Sequence, residues 1–162
     1  MAVDDASLEE LYFRTTLELR DDSGQLYRIT PTQLDDQPSD ADVVLRPFSD
    51  AFILTAENPE SLGEFSAQQN AHATELLHQR LLESSAVFRD CPGYAFDSDH
   101  VEPGFAVLSH SYEANELQQW VVGLAKEFRQ NAIFHLGRDG LSLIGVLRPD
   151  LRGTRPVLVE RV

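Results

Sequence analysis

Ala51-Phe52-Ile53-Leu54-Thr55-Ala56, followed by Glu57-Asn58-Pro59-Glu60-Ser61, decides how the rest of the chain is read. The apolar run is too short for a buried helix and shows no polar face, so it fits a central strand buried on both sides. The acid, amide and proline residues after it stop the strand. Ser61 stands three residues before Glu64, the capping-box spacing, which predicts a helix over about 64–84. Phe65, Ala73, Leu76, Leu77 and Leu81 supply its buried stripe. Ala86-Val87-Phe88 opens a second strand that Cys91-Pro92-Gly93 ends, residues 92–104 read as a loop, and Phe105–Leu108 is a third strand. Leu117, Trp120, Val121, Leu124, Ala125 and Phe128 recur at helical spacing, which predicts a helix over 113–128 with Trp120 in the middle of its buried stripe. Ala132–Leu136 is a fourth strand. Residues 51–136 therefore read β-α-β-β-α-β, the order of the ferredoxin-like split βαβ unit.

The flanks read as additions to that unit. Phe13, Thr15, Leu17 and Leu19 alternate with polar residues, Asp21-Asp22-Ser23-Gly24 is a turn, and Leu26–Ile29 resumes the alternation, so 13–30 is a hairpin. Leu8, Leu11 and Tyr12 suggest a helical turn before it. Residues 31–50 form an acidic loop with three prolines, in which Val43-Val44-Leu45 reads as a short edge strand. Gly137-Arg138-Asp139-Gly140 turns the fourth strand into a hairpin partner at Leu141–Leu147, and Pro156–Glu160 adds an edge strand in the short basic tail 148–162. The hairpins are expected to widen the central sheet. The expectation is one α+β domain over 1–162: a mostly antiparallel sheet with a ferredoxin-like βαββαβ core at 51–136, an N-terminal hairpin and a C-terminal hairpin strand.

Composition excludes several classes of function. The 162 residues are 42% apolar and 25% charged, ordinary globular values. A lone cysteine, Cys91, excludes an intramolecular disulfide and a zinc ribbon. No apolar run approaches a membrane span, and the opening Met1-Ala2-Val3-Asp4-Asp5 is acidic where a signal peptide is basic, so the cytoplasm is expected. The 27 acids against 13 basic residues give a net charge of −14. Phosphate backbones are bound by clustered Lys and Arg, so direct nucleic-acid binding is not expected. Anionic membrane surfaces are disfavoured for the same reason.

Chain order also locates a site. If 51–56 runs upward, the 57–62 turn, the 92–104 loop and the 129–131 turn all meet at one end of the sheet. They carry Asn58 and Ser61, then Asp97, Asp99, His100 and Glu102, then Arg129, Gln130 and Asn131. Asn70, two turns into the first long helix, is placed to reach the pocket rim or plain solvent. Amides, a hydroxyl and a carboxylate together donate and accept, as a polar ligand requires. Asn58, Ser61, Asn70, Glu102, Gln130 and Asn131 are therefore the candidate ligand-binding residues. Each also has a plainer reading as a cap or turn former. Asp97, Asp99, His100 and Glu102 offer hard oxygens and an imidazole, but no helix or strand fixes their spacing, so no tight metal site is expected. His72, His78, His110 and His135 read as packing residues, and Cys91 as a small hydrophobe.

Phe52-Ile53-Leu54-Thr55-Ala56-Glu57-Asn58-Pro59 with Ser61, Asn70, Glu102 and Phe128-Arg129-Gln130-Asn131-Ala132 resembles the bacterial family catalogued as domain of unknown function 3293. The resemblance spans about 51–136. The family often places Gly before the Gln, where this chain has Arg129, and its acidic segment is shorter than 31–50 here. The resemblance implies a small intracellular bacterial protein and assigns no activity or cofactor. The expected function is a binding or regulatory module with a small polar ligand or a peptide at the polar end of the sheet. A metal-assisted hydrolase using Asp97, Asp99, His100 and Glu102 is the alternative enzyme, and an acidic decoy for a nucleic-acid-binding protein is the third reading.

Overall fold

Alternation along two central strands organises the fold. The computed structural model describes residues 5–32, 40–95 and 99–162. In β3 (Asp50–Leu54) Ala51 and Ile53 face one core, while Phe52 and Leu54 face another. The later strand at Phe105–Ser109 does the same, with Ala106 and Leu108 on one side and Phe105 and Val107 on the other. A sheet whose strands are apolar on both faces must be covered twice. Helices cover one side here, and a second sheet covers the other.

In chain order the elements before β3 are α1 (Asp5–Tyr12), β1 (Thr16–Arg20), β2 (Leu26–Pro31) and the single turn α2 (Asp42–Leu45). After β3 come α3 (Ala67–Glu83), β4 (Val87–Asp90), β5 (Gly93–Tyr94), β6 (Val101–Glu102), β7 (Phe105–Ser109), α4 (Ala114–Glu127), β8 (Ala132–Gly137), β9 (Gly140–Gly145), β10 (Arg152–Arg155) and β11 (Val157–Arg161). The central sheet has the order β10-β9-β8-β3-β7-β4, and the covering sheet β11-β2-β1-β5-β6. All their pairings are antiparallel. The protein is thus α+β with mostly antiparallel strands. Leu77 and Leu81 of α3 and Val121, Leu124 and Ala125 of α4 fill the core under the helices. Leu17, Leu19 and Ile29 of the covering sheet meet Ile53, Leu108 and Leu136 in the other core.

The N-terminal hairpin forms in the expected register, Leu17 opposite Ile29 and Leu19 opposite Tyr27. It does not widen the central sheet. Its buried residues lie over that sheet's apolar face, which an edge position would have left in water. The segment 92–104 is not a plain loop: it leaves the edge strand β4, adds β5 and β6 to the covering sheet, and returns as β7. The tail also changes sheets, since β10 pairs with β9 and β11 pairs with β2. Val43–Leu45 belongs to α2 rather than an edge strand, because one helical turn buries Val44 and Leu45 together.

Two helix details differ from expectation. Ser66, rather than Ser61, caps α3: its hydroxyl accepts the Gln69 N–H while the Gln69 side chain accepts the Ser66 N–H. The buried stripe contains Asn70, Ala73, Leu77 and Leu81, and Leu76 is 47% exposed. In α4 the stripe is centred on Val121, Leu124 and Ala125, which leaves Trp120 only partly buried at its margin. Among the described residues, no helix is long and apolar enough to cross a membrane.

Candidate functional site

The upper end of β3 carries the backbone strain of the molecule. Asn58, Glu60 and Ser61 have φ of 48°, 57° and 58°, and Arg129, on the neighbouring connection, has 55°. Non-glycine residues held in this region cost energy and persist only where surrounding bonds enforce them. The enforcing bonds are present. Asn58 donates its N–H to Asn70 Oδ1 at 2.9 Å, and Asn70 Nδ2 donates to Asn58 Oδ1 at 3.2 Å. Glu60 donates its N–H to the Arg129 carbonyl, and the two side chains form an ion pair. Asn131 Nδ2 donates to the Ser61 hydroxyl at 3.2 Å.

Below this rim lies a cavity of about 310 Å³ between the two sheets. Leu8, Leu11 and Tyr12 of α1 form an apolar wall, while Thr55, Glu57, Asn58, Ser61, Glu102 and Gln130 supply polar groups from β3 and the three converging connections. Gly104 lets the chain return tightly here: a Cβ on it would stand 2.8 Å from the Cys91 carbonyl oxygen and 3.1 Å from Thr55 Cγ2.

Hydrogen counting fixes the central bonds. Gln130 Nε2 donates to the carbonyls of Glu57 and Phe128, both at 3.1 Å. Its two hydrogens are spent, so Gln130 Oε1 is the atom facing the Thr55 hydroxyl at 3.2 Å. That hydroxyl also lies 2.7 Å from Glu102 Oε1. One hydroxyl hydrogen cannot serve two acceptors. The count closes when the Glu102 carboxyl carries a proton: it then donates to Thr55, and Thr55 donates to Gln130. Burial, opposed by the Thr55 bond and reinforced by the charge of Glu57, holds the Glu102 carboxyl above the usual carboxylate range. Burial likewise raises Glu57, against the pull of His100. Glu57 is only 8% exposed, and among the described residues its Oε2 has no hydrogen-bond partner. His100 Nε2 stands 3.6 Å from that oxygen. Tyr12 is raised by burial, partly offset by its bond with Ser61. The buried Cys91 thiol is pushed up to about 12, so it is not a nucleophile at neutral pH.

Asn58, Ser61, Glu102 and Gln130 all line this one cavity, whereas Asn70 and Asn131 stand behind it and hold Asn58 and Ser61. The sequence reading missed Glu57, Thr55 and Tyr12. Glu57 looked like a strand stop, and the spacing of Leu8, Leu11 and Tyr12 marked a helical turn without saying where it docks. In the acidic loop, Asp97 lies outside the described residues, Asp99 is exposed, His100 faces Glu57 and Glu102 is engaged with Thr55. Among the described residues, no three His, Cys, Asp or Glu side chains gather into a possible metal site. His78 stacks on Phe105, His110 on Tyr112 and Phe48, and His135 on Phe52 while bonding Asp50 at 2.7 Å. His72 is exposed on α3.

Residues 54–133 match the model of a family described as "Protein of unknown function (DUF3293)". This segment belongs to that family. The match runs from the end of β3 to the start of β8, so the DUF3293 segment contains all three connections at the upper end, together with Asn58, Ser61, Asn70, Glu102, Gln130 and Asn131. It leaves out α1, whose side chains complete the cavity wall. No curated protein and no solved structure gives a match.

Proposed function

We propose that this protein is a cytoplasmic binding or regulatory module that holds a small polar ligand in the cavity between its two sheets. One observation carries the reading: Glu57 lines the cavity, and its buried Oε2 has no hydrogen-bond partner among the described residues, only His100 Nε2 at 3.6 Å. Leaving such an acceptor unmade costs about 1–3 kcal/mol, more when charged, a cost that a ligand donor would remove. The strained rim supports the same reading, because its bonds hold Asn58 and Ser61 at the cavity at some expense to the backbone. A catalytic role has less support. Among the lining residues, Cys91 is a buried neutral thiol and the Thr55 hydroxyl is engaged with Glu102 and Gln130.

The test is a thermal-shift screen of small polar metabolites, with hits located by amide chemical shifts. Binding that moves the amides of Glu57, Asn58 and Glu102 supports the proposal. Hits confined to other surfaces, or no hits, refute it.

A further inference from the structure

The donor and acceptor inventory of the cavity restricts what fits. Among the described residues that line it there is no Lys or Arg, and two, Glu57 and Glu102, are carboxylic acids. Arg129, the basic residue on the adjacent turn, is turned to Glu60. The Gln130 amide has spent both hydrogens on backbone carbonyls. The charged groups on offer from the lining are the Glu57 and Glu102 carboxyls, both acceptors when ionised. An anion entering here would meet the Glu57 and Glu102 carboxyls with no lining Lys or Arg to answer it. The opposite wall is apolar, made by Leu8, Leu11 and Tyr12.

We propose that the cavity takes a small organic cation, an ammonium or guanidinium group on an apolar body, seated on the Glu57 carboxylate. This rests on the binding-module reading above. A charge-assisted N–H···O bond is roughly twice as strong as a neutral one, and it would give the buried Glu57 carboxyl a closer partner than His100 at 3.6 Å. The apolar part would lie against α1. The 310 Å³ volume has room for a small organic molecule. His100 Nε2 stands 3.6 Å from the same oxygen on a side chain that is 59% exposed, so it can yield that place to the ligand.

The experiment titrates the full chain with matched probes: n-butylammonium, n-butylguanidinium and 2-phenylethylammonium, their alcohols 1-butanol and 2-phenylethanol, and butyrate. Affinity is read from amide shifts at Glu57, Asn58 and Gly63. The cations are expected to bind at least tenfold tighter than the alcohols, and butyrate weakest of all. The two butyl cations separate ammonium from guanidinium as the preferred head group. Glu57→Gln should cost the cations at least tenfold and the alcohols less than threefold. Because the probe comparison within the unaltered protein stands alone, a misfolded variant would not shelter the idea. If alcohol or butyrate binds in the cavity as tightly as the cations, the cation assignment is overturned while the binding module survives. If no probe moves those amides at millimolar concentration, both fall.

Discussion

Replacing Glu102 by Gln puts the hydrogen count in the cavity to a direct test. A glutamine amide turned toward Thr55 donates to the hydroxyl as a protonated carboxyl would, and the hydroxyl can still donate to Gln130. The variant therefore reproduces the protonated arrangement at every pH. In the unaltered protein the folded carboxyl titrates above its ordinary range, chiefly through burial. For an acid raised on folding, the native state binds the proton more tightly than the unfolded chain. Its contribution is complete below the unfolded carboxyl range and is lost as pH rises through the folded value. Ionisation removes the donor, leaves Gln130 Oε1 and the carboxylate competing for one hydrogen, and costs about one hydrogen bond, ~1 kcal/mol. Urea unfolding at pH 4, 6 and 8 should show Glu102→Gln within ~0.5 kcal/mol of the parent at pH 4 and more stable by ~1 kcal/mol at pH 8. A difference that does not change with pH, or one that turns against the variant as pH rises, would refute the proton assignment.

Ser66→Ala should cost ~1 kcal/mol in urea unfolding through the lost cap of α3, with the helix signal falling first at its N-terminus. Ser61→Ala should leave that signal unchanged. Arg129→Gly should stabilise the fold by ~0.5 kcal/mol: it relieves a φ of 55°, while the exposed pair with Glu60 contributes little and glycine's extra unfolded freedom opposes the gain. Trp120→Ala should cost less than Leu77→Ala, for which ~2–5 kcal/mol is expected, because Leu77 is fully buried and Trp120 sits at the margin of the same core. Tryptophan emission at an intermediate wavelength, neither that of a dry core nor that of free indole, checks the same placement.

The central sheet and its helices were legible because β3, β7 and β8 are apolar runs and α4 has sustained helical spacing. Those signals, with short connections, also delivered Asn58, Glu102 and Gln130 to one end. The covering sheet was not legible. β5 and β6 are two residues each, too short for any alternation, and pair only through contacts distant in sequence. Ser61-x-x-Glu64 and Ser66-x-x-Gln69 carry equivalent capping signals, and only packing of the strained 58–61 turn chooses the second. Val43–Leu45 fits a strand or a turn of helix equally by composition, and burial decided it. Glu57 was overlooked because a carboxylate after a strand usually meets solvent, and nothing local shows that it lines a cavity together with α1.

The two-sided burial of β3 reaches beyond stability. Its amides are locked to β7 and β8, and its alternate side chains are claimed by separate cores. Such a strand has no partial opening that spares either core, so its amides should exchange with solvent only when the whole fold comes apart. Thr55 and Glu57 continue directly from that strand. The cavity floor is thus mounted on the least yielding part of the molecule, and a ligand arriving there would find its acceptor already fixed, with little ordering left to do on binding.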